Sequence, residues 1–224
     1  MSRLALTLAL AAALTAGACG PPTEPRTTIA GSGGGPRVLF EDELRVARYW
    51  TAVRGTICRS SFADGGFVIE NIAASPSTSC VLRPGHPEAY APSVRIEVSA
   101  RLRKGSREDA FGFVFGSRGS GDQLTFATMG LTSNGTYRVA SWNGKWAYPV
   151  PATLSRSVKT DYGALNTLAV EVRDRSVVAY VNGRPVATAE LSIETAGTIG
   201  LFVDQRGMEV VFSNLRVVEL VPMR

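Results

Sequence analysis

Residues Val94-Arg95-Ile96-Glu97-Val98-Ser99-Ala100-Arg101-Leu102-Arg103 alternate apolar and polar side chains without a break. Successive side chains of an extended chain point to opposite faces, so this stretch buries one face only as a strand whose other face is wet. A helix would scatter both classes around its surface. The period of two returns at Phe111, Phe113 and Phe115, at Leu168-Ala169-Val170-Glu171-Val172-Arg173 and, more weakly, at Ile199-Gly200-Leu201-Phe202-Val203. No long segment has helical spacing, and no internal repeat marks a propeller or solenoid.

Turn signals punctuate these strands. Asn182-Gly183 stands between two apolar runs, Val177 to Val181 and Val186 to Leu191. It suits a type I′ hairpin turn, which needs positive φ at both central residues. Asn134-Gly135 and Asn143-Gly144 are two further signals of this kind. Many short strands with frequent turns predict an all-β fold, a sandwich or barrel. Residues 37–222 are long enough to close a core between two antiparallel sheets.

The first 36 residues read differently. Arg3 and the uncharged run Leu4 to Ala16 have the pattern of a signal peptide over 1–18, ending in the small residues Ala16-Gly17-Ala18. The run is short for a membrane span of ~20 residues. Leu14-Thr15-Ala16-Gly17-Ala18-Cys19 resembles the bacterial lipobox, with Ala16 where that motif usually has Leu. The resemblance implies cleavage before Cys19, a diacylglyceryl group on its sulfur and a cell-envelope location anchored to the membrane. Residues 19–36 are rich in Pro and Gly and read as a flexible tether.

Three cysteines are an awkward number for an exported chain. With Cys19 acylated, Cys58 and Cys80 remain as one pair in an oxidising compartment, which predicts a disulfide. The chain carries a formal charge of +5, and loss of Arg3 with the signal peptide leaves +4. Its basic residues are mostly arginines scattered along strands, which favours a solvated surface over a nucleic-acid groove.

Five segments occur in order: Asn134 to Arg138, Leu165 to Val172, Ala179 to Val186, Gly197 to Leu201 and Val211 to Val217. Together they resemble the concanavalin A-like superfamily, and in particular its 3-keto-disaccharide hydrolase-type and laminin-G-like domains. Leu165 stands where the hydrolase-type family commonly has Trp. The resemblance implies a two-sheet antiparallel jelly-roll sandwich whose concave face, in many relatives, binds glycans. Its motifs are turn and core residues, so they specify fold and not chemistry.

Tyr137, Trp142, Trp146 and Tyr148 cluster within the twelve residues 137–148, around a turn signal. Sugars present flat patches of C–H bonds that stack on such rings, while indole and phenol keep a polar handle. The competing role is core filling. If Tyr137, Val139 and Ser141 face inward, then Arg138, Ala140 and Trp142 face outward. A two-residue turn at Asn143-Gly144 would pair Ser141 with Trp146 and separate the indoles. A three-residue turn would pair Trp142 with Trp146 and make one platform. The expected ligand site comprises Trp142, with Trp146, Tyr148 and Arg138.

Catalytic patterns are sparse. A glycosidase needs two carboxyl groups about 5–10 Å apart, and the Glu-x-Asp-x-x-Glu strand of jelly-roll glucanases is absent. Glu41-Asp42-Glu43 alternate faces, while Glu108-Asp109 and Asp122 sit in turn-like segments that favour solvated roles. His86, the only histidine, lies in a Pro-Gly turn and cannot make a multi-histidine zinc site. No Gly-x-Ser-x-Gly elbow occurs. Asp122, Asn134 and Asp204 offer oxygens for calcium without supporting spacing.

No catalytic residue, metal or cofactor is therefore expected. The reading is a surface-tethered, non-catalytic recognition module for glycan or another envelope polymer, without nucleic acid as a partner. The rivals are a saccharide-acting hydrolase and a structural or protein-binding envelope domain. An aromatic platform alone favours recognition, whereas a carboxylate pair in the same groove favours hydrolysis.

Overall fold

A computed structural model describes residues 36–75, 78–85 and 93–220. The segment expected to be a signal peptide, Cys19, all but the last residue of the expected tether and His86 lie outside the described residues. Strands run in chain order as β1 (Val38–Asp42), β2 (Cys58–Ala63), β3 (Gly66–Asn71), β4 (Cys80–Leu82), β5 (Ser93–Lys104), β6 (Phe111–Arg118) and β7 (Thr125–Leu131). They continue as β8 (Thr136–Asn143), β9 (Trp146–Leu154), β10 (Asn166–Arg173), β11 (Ser176–Val181), β12 (Arg184–Glu190), β13 (Thr198–Val203) and β14 (Glu209–Glu219). The helical content among the described residues is a single 3₁₀ turn at Gly121–Gln123.

The larger sheet has the order β12-β11-β10-β5-β14-β3-β2, and β1 pairs with the second half of β14. The smaller sheet runs β4-β13-β6-β7-β8-β9. All the strand pairs are antiparallel. Strands adjacent in the larger sheet come from both ends of the chain, so the terminal strands close the sandwich. This is a two-sheet antiparallel jelly-roll sandwich.

The alternation in β5 translates directly into packing. Val94, Ile96, Val98, Ala100 and Leu102 are all buried between the sheets. Outside, Arg95 pairs with Glu97 at 2.6 Å and Glu171 at 3.0 Å, and its guanidinium lies over Tyr180. From the facing sheet, Phe111, Phe113 and Phe115 enter the same core with Met129, Leu131 and Val139.

Local chemistry explains the turn motifs. Asn182 and Gly183 both take positive φ, 51° and 76°, and join β11 to β12 as a two-residue turn. The Asn182 side chain also accepts from Thr167 N–H at 2.8 Å and donates to Asn166 Oδ1 at 2.8 Å. Asn166 is buried and bridges both polar groups of the Lys159 backbone at 2.9 Å. These amides stitch the β11–β12 hairpin to the loop before β10.

Cys58 and Cys80 are joined, with their Cα atoms 5.3 Å apart. The bond straps β2, an edge of the larger sheet, to β4, an edge of the smaller one. It closes a loop of 22 residues, worth about 3 kcal/mol in the chain-entropy picture. The Cys58→Ser/Cys80→Ser double variant is expected to lose about that much stability, read as a lower denaturant midpoint. An unchanged midpoint would contradict it.

Candidate aromatic cleft on the smaller sheet

The β8–β9 hairpin presents the candidate site. Its turn spans three residues, because Gly144 takes φ +70° while Asn143 stays in the strand and Trp142 pairs with Trp146. Both indoles therefore share the outer face of the smaller sheet. Tyr137, Val139 and Ser141 point inward and are buried, and the Tyr137 hydroxyl donates to the Val186 carbonyl at 2.6 Å. The strand β9 is an edge carrying Pro149 and Pro151, which lack the N–H that would recruit another strand.

Four rings line up on this face. Phe126 meets Trp146 edge-on at 5.5 Å, Trp142 meets it at 5.4 Å and 66°, and Tyr148 stacks on it at 6.2 Å and 22°. Exposure separates their roles. Trp146 is 45% exposed and Tyr148 53%, whereas Trp142 is half-buried. Trp142 buttresses the platform and does not border the cleft beside it.

That cleft encloses about 310 Å³ and is lined by Asp109, Arg138, Trp146, Tyr148, Asp204 and Gln205, among others. Its floor includes Ala140, which is outward-facing yet buried. The neighbouring outer surface is apolar as well: Ala110, Val114 and Phe202 form a second small cluster with Phe126 packed on it. Gly130 makes room for this cluster, because a Cβ there would sit 3.0 Å from the Phe202 ring.

Arg138 and Asp204 form an ion pair across the cleft wall, and the Ser79 hydroxyl donates to the other Asp204 oxygen at 2.9 Å. Burial raises the Asp204 carboxyl above the usual carboxylate range; Arg138 and the Ser79 hydrogen bond oppose that rise and nearby Asp109 adds to it. Arg138 Nε is buried without a hydrogen-bond partner among the described residues. Asp109 accepts no hydrogen bond and joins no ion pair among those residues. The backbone of Asp204 is fixed from outside the cleft: its N–H donates to Ala110 O at 3.0 Å, and Asn71 Nδ2 donates to its carbonyl at 3.1 Å.

Arg138, Trp146 and Tyr148 thus meet at one place, with Trp142 behind them. Ser79, Asp109, Asp204 and Gln205 complete the cleft, although they come from distant parts of the chain. Asp109 faces this cleft half-buried, contrary to the solvated role its turn-like context suggested. The other oxygens considered for calcium do not join Asp204. Asn134 bonds the Thr132 hydroxyl, and Asp122 is exposed on the 3₁₀ turn. Among the described residues, no group of three or more His, Cys, Asp or Glu side chains is placed to hold a metal ion. Glu41 and Glu43 are taken up by Arg216 and Arg45, while Asp42 is buried and accepts from Leu44 N–H. No described helix is long and apolar enough to cross a membrane.

No protein-family model matches the chain, and no curated protein matches it. Solved structures do. The carbohydrate-binding module CBM66 of Bacillus subtilis superposes with a TM-score of 0.57 at 17% identity, covering 76% of this chain and 95% of that one. The β-glucanase of Bacillus licheniformis gives 0.59 at 12% identity, covering 84% and 99%. The GlcNAcα1-4Gal-releasing endo-β-galactosidase of Clostridium perfringens gives 0.59 at 12% identity, covering 87% and 64%. At such identities the likeness establishes the shared jelly roll.

Proposed function

We propose that this protein is a tethered, non-catalytic recognition module that binds glycan in the cleft beside Trp146 and Tyr148. The observation that carries the reading is the exposed Trp146–Tyr148 stack, bordering a polar cleft instead of filling the core. Apolar sugar faces stack on such rings, and the carboxylates and guanidinium beside them suit ring hydroxyls. Neighbours of the same fold include a carbohydrate-binding module and glycan-acting enzymes, which supports a saccharide ligand. Glycan-array binding of the mature protein tests this, with Trp146→Ala as the control. Array signal that survives the substitution would contradict it.

Hydrolysis is a second reading with one observation in its favour: Asp109 and Asp204 line the same cleft. Against it, both oxygens of Asp204 are already engaged, one by Arg138 and one by Ser79. A general acid must instead hold a proton free for the leaving group. Mass spectrometry of each array-positive glycan after incubation separates the two. Unchanged glycan is expected. Release of sugar that stops in Asp109→Asn or Asp204→Asn would establish the enzyme.

The envelope placement belongs to the same proposal and rests on Cys19 with the small residues before it. A disulfide between Cys58 and Cys80 accords with an oxidising compartment. Cys19→Ser is expected to move the protein from the membrane fraction to the soluble one. Unaltered detergent partitioning would overturn the lipid anchor.

A further inference from the structure

We infer that the cleft selects glycans bearing a free, protonated amine, such as unacetylated hexosamines, over their neutral and acidic counterparts. This rests on the recognition reading above and names the ligand class that the same site prefers. The argument is one of local charge. Among the described residues, three charged side chains line the cleft: Asp109, Arg138 and Asp204. The guanidinium of Arg138 is committed to Asp204, so that pair is neutral. Asp109 remains uncompensated, close enough to Asp204 to act on its titration. A cationic group entering the cleft would sit beside this carboxylate and be attracted by it.

A uronate would face Asp109 while Arg138, the cation among the described lining residues, is already paired with Asp204, so like-charge repulsion is not offset. The remaining polar groups, Ser79 and Gln205, are neutral and suit hydroxyls or an amide without discriminating charge.

The test is calorimetric titration of the mature protein with three tetrasaccharides: a hexosamine with free amines, its N-acetylated counterpart and a uronate. Mildly acid pH keeps the amines protonated and an ordinary carboxylate ionised. The free amine is expected to bind about tenfold more tightly than the acetylated sugar, with the ratio shrinking as salt is added. In Asp109→Asn the ratio should fall to about one, because the substitution removes the charge and keeps the shape. Trp146→Ala should weaken both of these sugars together, which reports on the recognition reading separately. Equal binding of amine and acetylated sugar, or tighter binding of the uronate, would overturn the inference and leave recognition standing. A preference that persists in Asp109→Asn would overturn the assignment to this cleft. Binding of none of the three would count against both.

Discussion

Asn71→Leu is expected to destabilise the domain by about 3–5 kcal/mol and to weaken glycan binding with it. Asn71 is fully buried where the two sheets meet the end of β13. Its Nδ2 donates to the carbonyls of Thr78 at 2.8 Å, Val203 at 3.0 Å and Asp204 at 3.1 Å, and its Oδ1 accepts from Ala73 N–H at 3.0 Å. Leucine fills nearly the same volume but can pair with none of these backbone groups. Each orphaned group costs about 1–3 kcal/mol. Asn71→Asp should be no better, since its carboxylate would face carbonyls that need a donor. The functional consequence follows from geometry: Asn71 holds the backbone that aims Asp204 into the cleft. Denaturant unfolding measures the first effect. A loss below about 1 kcal/mol would mean that the surroundings or water replace the amide.

Trp146→Ala is expected to weaken glycan binding by about 1–3 kcal/mol, or roughly 5- to 150-fold, while costing less than about 1 kcal/mol of stability. The ring is nearly half exposed, so its removal uncovers little core. Trp142→Ala should divide differently. That ring is half-buried against Trp146, so truncation should lower stability measurably and weaken binding only by loosening the platform. Measuring affinity and unfolding on both variants distinguishes a contact residue from a buttress. Equal effects of the two substitutions on binding would show that the exposure-based assignment is wrong.

The sandwich was legible in the sequence because strand periodicity is a local property. The inward set of β5 could be read directly from its alternation, and the Asn182-Gly183 turn from its residue types. The hairpin beside the site was legible only in part. Asn143-Gly144 announces a turn, but Lys145 joins the loop because positive φ falls on Gly144 alone, and residue types do not specify that. The parity of Trp146 hung on this one residue. The polar half of the cleft was less legible still. Asp204 reaches Arg138 from 66 positions away and Ser79 from 125, and no local pattern encodes such meetings. Asp109 looked solvated because its neighbours are turn formers, whereas its surroundings are set by β8 and by the segment after β13.

Two-dimensional NMR of the indole N–H groups during titration with a bound oligosaccharide tests the cleft most directly. The chain has three tryptophans, and Trp50 is buried in the core against Phe67. The Trp146 signal is expected to shift progressively with ligand, Trp142 to follow to a smaller degree and Trp50 to stay in place. Saturable binding that moves Trp50, or moves none of the three, would contradict glycan recognition on the outer face of the smaller sheet.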